Sequence, residues 1–110
     1  MAIRFKSGVS LEKLTPQLTL ALVMTQEVLD WYRSDLTVTS LDDGKHSTVT
    51  LHGKGRAFDF RIWDVHEAVR EDMVVALRER LGREFDVVLE PDHCHVEWDP
   101  DYLKTPPKKS

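Results

Sequence analysis

Between Pro16 and Tyr32, Leu18, Leu22, Thr25, Leu29 and Tyr32 recur at three- and four-residue steps. That spacing predicts an α-helix with one side buried. Ala21, Met24, Val28 and Trp31 widen the stripe, so the helix is expected to be well covered. Thr15 is a natural N-cap, and proline is favoured at the first helical position. Leu36-Thr37-Val38-Thr39-Ser40 then reads as a β-branched strand, and Asp42-Asp43-Gly44-Lys45 as a turn.

From Ala57 the period changes to two. Phe58, Phe60 and Ile62 share one face, and Ala57, Asp59 and Arg61 the other. This strand is predicted to run to Trp63. Asp64-Val65-His66-Glu67 follows as a capping-box-like helix start. That helix turns Val65, Ala68, Val69, Met73, Ala76, Leu77 and Leu81 inward, and Gly82 closes it. Glu84 to Leu89 reads as a strand, Pro91 breaks it, and His93 to Trp98 reads as another. His93, His95 and Glu97 share one face of that last strand; Cys94, Val96 and Trp98 share the other. The predicted class is α+β, with two main helices packed on a mainly antiparallel sheet of four or more strands.

Composition narrows the class without changing it. At 110 residues, 41% hydrophobic and 31% charged, the chain has room for one folded core without staples. Residues 1–103 are expected to form a single domain. Residues 104–110, with two prolines and three lysines, form a flexible tail. The single cysteine, Cys94, excludes an intramolecular disulfide and is expected in the core. A net charge of −4 without a basic stripe argues against nucleic-acid binding. The longest apolar run, Leu20 to Met24, is too short for a membrane span. The first residues lack the pattern of a signal peptide, which points to cytoplasmic synthesis. Oligomeric state is left open.

Two short stretches carry candidate chemistry. The first contains His52 and Asp59, with Gly53 and Gly55 between them to allow a tight turn. Ala57 is small and shares the Asp59 face, leaving room for a metal or substrate. The second stretch is Asp92-His93-Cys94-His95. Two imidazoles and a carboxylate suit a three-ligand Zn2+ site, which leaves one position open for water; structural zinc sites usually fill all four. Strand alternation alone does not choose between His93 and His95 as the third ligand. Arg56 and Arg61 are candidates to bind a peptide carboxylate or to form salt bridges within an acidic chain. His46 is a candidate for the substrate groove, with an exposed loop as the simpler assignment. Glu90, three residues before His93, competes with Asp92 for any role as a base. His66 is expected to be structural or exposed, and the three tryptophans to serve core or rim packing.

The first stretch also resembles a known signature. Thr50-x-His52-x-x-Gly55-x-Ala57-x-Asp59 is similar to the Ser-x-His-x-x-Gly-x-Ala-x-Asp pattern of zinc peptidases, with threonine in place of serine. These include D-alanyl-D-alanine carboxypeptidases, D-Ala-D-Ala dipeptidases and phage L-alanyl-D-glutamate endopeptidases, whose fold Hedgehog signalling domains share. The second signature, His-x-His or an acidic residue three before a histidine, is matched by His93-Cys94-His95 and by Asp92. The resemblance spans roughly Leu36 to Asp99 and implies a Hedgehog/DD-peptidase-like fold. It implies one zinc per chain on His52, Asp59 and His95, Asp92 as general base, and His93 steadying the transition state. Peptidoglycan stem peptides are the implied substrate. A small phage or prophage lytic enzyme is the implied setting, acting on the cell wall after release or from a phage particle. The alternative is a non-catalytic zinc-binding interaction domain of the same fold.

Overall fold

Thr15 and Pro16 start the first helix as their residue types dictate. In the computed structural model, which describes residues 2–42 and 56–100, helix α1 spans Pro16–Trp31, and the Thr15 hydroxyl accepts a hydrogen bond from the Leu18 backbone N–H at 3.2 Å. Such a cap is worth about 1 kcal/mol. Leu18, Ala21, Leu22, Thr25, Val28 and Leu29 are buried as the stripe predicts. Trp31 departs from it: the stripe is narrower than expected and leaves that ring 87% exposed.

Gln26, outside the predicted stripe, is buried because it completes the turn after α1. Its side-chain N–H groups donate to the Ser34 carbonyl at 3.2 Å and to Asp30 at 2.8 Å. Its side-chain oxygen accepts from the Leu36 N–H at 2.9 Å. One amide thus satisfies both a buried donor and a buried acceptor, each costly to leave alone.

The strands are β1 (Ile3–Phe5), β2 (Leu36–Asp42), β3 (Ala57–Arg61), β4 (Phe85–Leu89) and β5 (His93–Trp98). They form one five-stranded sheet in the order β1-β2-β3-β5-β4. The predicted mainly antiparallel sheet is in fact mixed. Three pairings are antiparallel, but β1 lies parallel to β2, with Ile3 opposite Leu36 and Phe5 opposite Val38. Helix α1 is the crossover that a parallel pair requires. The expected strand from Ala57 to Trp63 ends at Arg61. The second helix also starts later than expected. Glu67–Val69 forms a 3-10 turn, and α2 spans Arg70–Leu81. His66 caps that turn, its Nδ1 accepting from the Ala68 N–H at 3.1 Å. Ala68 therefore sits exposed rather than inward. Gly82 ends α2 with φ of 87°, a left-handed value that favours glycine.

Alternation sorts the sheet into two faces. Val38, Phe58, Phe60, Cys94 and Val96 point towards α1 and α2 and are fully buried. The alternate residues of β3, Asp59 and Arg61, turn away from the helices. Cys94 is a core residue as predicted, and burial pushes its thiol up to about 12. Thiolate is the reactive form. The native protein is therefore expected to resist an aromatic disulfide reagent at pH 8 and to take up one equivalent only in denaturant. Rapid labelling of the folded chain would overturn the placement. The predicted turn at residues 42–45 runs into residues outside those described, and the predicted tail lies wholly outside them.

Candidate metal centre

A β-bulge shapes the polar face. Val38 pairs with Phe60 and Ser40 with Asp59, so Thr39 is an extra residue on β2. The bulge shifts the phase of the strand. Leu41 takes the buried position, and Ser40 stands beside Asp59, with its hydroxyl 2.9 Å from Asp59 Oδ2. Bulges commonly re-aim side chains in this way next to functional sites.

On the other side of β3 the register sets Asp59 opposite His95 and Arg61 opposite His93. His95 Nδ1 lies 2.7 Å from Asp59 Oδ1. The other ring nitrogen, Nε2, lies 3.0 Å from Glu97 Oε1. Glu97 is two residues along the same strand and only 3% exposed. Carboxylates at opposite ends of one imidazole cannot share an ion with it, so Asp59 and Glu97 have different parts. Burial raises the Asp59 carboxyl. Hydrogen bonds from His95 and Ser40, with the charges of His95 and His93, outweigh that effect and hold it below the usual carboxylate range. Asp59 is thus an anion at neutral pH despite its partial burial.

His93 makes a separate pair, its Nδ1 2.7 Å from Asp92 Oδ1. That hydrogen bond, partly opposed by desolvation and aided by the charge of His93, lowers the Asp92 carboxyl. Asp92 is well exposed, at 81% of its side chain. The Glu90 backbone N–H bonds the His93 carbonyl at 2.9 Å, whereas the Asp92 side chain bonds the His93 ring. A groove of about 500 Å³ runs beside these groups, lined by Lys6, Ser40, Asp59, Arg61, Trp63 and His93, among others. A larger depression of about 650 Å³ lies between α1 and α2, but no histidine lines it.

The sequence-derived candidates divide accordingly. Asp59, His95, Asp92, His93 and Arg61 come together on the polar face. His46, Thr50 and His52 lie outside the described residues. Arg56 is buried, with Nε and Nη2 donating to the Trp98 carbonyl at 3.1 and 2.9 Å and Nη2 to Asp99 at 3.2 Å. Among the described residues no group of three or more His, Cys, Asp or Glu side chains is arranged to hold one ion. Ser40, Glu97 and Lys6 were not among the candidates. The alternation of β5 already put Glu97 on the histidine face; nothing in the pattern announced the bulge that places Ser40.

The donor chemistry of the Asp59–His95 pair fits a divalent ion. A carboxylate only accepts, so the short Nδ1–Oδ1 contact holds a proton between two groups that are both zinc ligands by type. A cation held there would take the place of that proton, since metal ligands must be deprotonated. Glu97 then accepts from Nε2–H, the carboxylate–histidine arrangement that orients a ligating ring. Glu97→Gln is therefore expected to weaken zinc binding by about 10–100-fold, read by competition with a chromogenic chelator. Unchanged affinity would show that Glu97 serves only packing. No known protein family, curated protein or solved structure matches this chain.

Proposed function

We propose that this chain is a zinc-dependent peptidase that hydrolyses amide bonds of peptidoglycan stem peptides, of the small lytic type found in phages and prophages. The observation that carries the reading is the 2.7 Å contact between Asp59 and His95 beside a polar groove. The two signature stretches supply the rest: His52 is the third ligand, Asp92 the base and His93 its neighbour.

When bound, zinc supplies Lewis acidity to a carbonyl oxygen and to water. Asp59 and His95 would hold it, with Ser40 and Glu97 fixing their orientation. Asp92, kept ionised by His93, takes the proton from the attacking water and later delivers it to the leaving amine. His93 presents its second ring nitrogen to the oxygen on which negative charge develops. Arg61 binds substrate, and Arg56 takes no direct part because it is buried and its Nε and Nη2 donate to Trp98 and Asp99.

The test is incubation of zinc-loaded protein with defined muropeptides, with and without chelator, and mass spectrometry of the fragments. Chelator-sensitive release of one fragment supports the peptidase and identifies the bond. One zinc per chain without cleavage would favour the interaction domain instead.

A further inference from the structure

Strand β4 is an edge of the sheet, bonded to β5 on one side only. Its sequence, Phe-Asp-Val-Val-Leu, combines strong β-formers with a single charge. Phe85, Val87 and Leu89 pack against the core, while Asp86 and Val88 stand exposed on the other face.

Hydrogen bonds at its two ends fix which backbone groups point outwards. The Asp99 N–H bonds the Glu84 carbonyl at 2.6 Å, and the Glu90 N–H bonds the His93 carbonyl at 2.9 Å. Between them the register pairs Asp86 with Glu97 and Val88 with His95. Bonded and unbonded pairs alternate along an antiparallel ladder. Phe85, Val87 and Leu89 therefore turn their N–H and carbonyl groups to the open edge, which is a template for another strand.

The fold already covers part of that edge. The Phe85 N–H donates to the Gly82 carbonyl at 3.2 Å. The Val87 carbonyl, in the middle of the strand, accepts from Arg78 of α2, with Nη2 at 2.8 Å and Nε at 3.3 Å. Arg56 and Arg70 also donate to carbonyls, but at the end of β5 and in the segment between β3 and α2. Of these three arginines only Arg78 reaches an edge strand.

The edge is self-complementary about Val87. Two antiparallel copies of β4 centred there would exchange N–H and carbonyl bonds between their Val87 residues and set Phe85 of each beside Leu89 of the other. The carbonyl that Arg78 holds is the central acceptor of that pairing, in both copies. The opposite edge, β1, is only three residues long.

We propose that Arg78 is an autoinhibitory contact: by holding the Val87 carbonyl it closes the β4 edge against antiparallel pairing with β4 of a second copy of this chain. The contact acts whether or not the chain is a peptidase.

Sedimentation equilibrium tests this on the full chain, with wild type, Arg78→Met and Arg78→Ala, each shown folded by a denaturant melt. A charged donor makes one of the stronger hydrogen bonds, and pairing displaces two of them, so either variant is expected to dimerise about tenfold more tightly or better. A second change reads the register, because the pairing sets Val88 opposite the copy's Asp86. Like charges directly opposite one another destabilise a strand pair and unlike charges support it. Val88→Asp added to Arg78→Met is expected to return the chain to the wild-type constant, and Val88→Lys to keep or strengthen the dimer. Equal constants for wild type and both Arg78 variants would overturn the proposal. So would association of Arg78→Met that Val88→Asp leaves unchanged, or a wild-type dimer that Val88→Asp dissolves, since the edge would then be paired with Arg78 in place.

Discussion

Replacing Asp59 with alanine is expected to abolish zinc binding and peptidase activity together. The carboxylate lies 2.7 Å from Nδ1 of His95, and it is also the acceptor for Ser40. Its loss should exceed the about 10–100-fold effect of losing a supporting partner. Stability supplies an independent readout. A ligand that binds only the folded chain stabilises it by about 2.7 kcal/mol at one hundred times its Kd. For a domain of this size that is a rise in Tm on the order of 10 °C. Calorimetry with zinc should show that rise in wild type and none in Asp59→Ala. Asp59→Asn separates metal from packing, because the amide oxygen still accepts a hydrogen bond. Its zinc-free Tm should fall less than that of Asp59→Ala while the zinc response disappears. A full zinc-dependent rise in Asp59→Ala would remove the metal centre from the polar face.

The elements that follow local chemistry were legible. Thr15 and Pro16 set the start of α1, Gly82 the end of α2, and the alternation of Phe58 and Phe60 against Asp59 and Arg61 the faces of β3. The limits of β5 follow from Pro91 and the alternation up to Trp98. What escaped depends on distant partners. Ile3–Phe5 is too short to show a period and becomes a strand only because β2 offers its edge after a helical crossover. Without β1, Lys6 had no face and no reason to be a candidate. Thr39 carries no bulge signal of its own; the extra residue follows from pairing Val38 and Ser40 with adjacent residues of β3. The start of α2 moved because the His66 ring, not Asp64, satisfies the first free N–H. For the candidate site, alternation made His93 and His95 equivalent. Only the register set His95 opposite Asp59 and His93 opposite Arg61.

Arg56 shows the same dependence on long-range pairing, and its replacement has the largest expected effect on stability. By composition it was equally a substrate arginine or a salt-bridge partner. In the fold it lies just before β3 and is 1% exposed. Its carbonyl accepts from the Trp98 N–H at 2.7 Å, while its side chain returns to the Trp98 carbonyl and to Asp99. The Asp99 N–H in turn bonds the Glu84 carbonyl at 2.6 Å. One side chain therefore ties the entry of β3 to the exit of β5, and through Asp99 to the segment before β4. A buried ion pair is a poor source of net stability, but removing one member strands the other in a low-dielectric site and costs about 3–5 kcal/mol. Arg56→Met, which keeps much of the volume, is expected to lower stability by about that amount in a denaturant melt. A second change, Asp99→Asn, should recover part of the loss, because the stranded carboxylate is then gone. Zinc affinity per folded molecule should stay close to wild type, since the Arg56 side chain bonds Trp98 and Asp99 at the far end of the strands. A variant with wild-type stability but a raised KM would instead return Arg56 to the substrate groove.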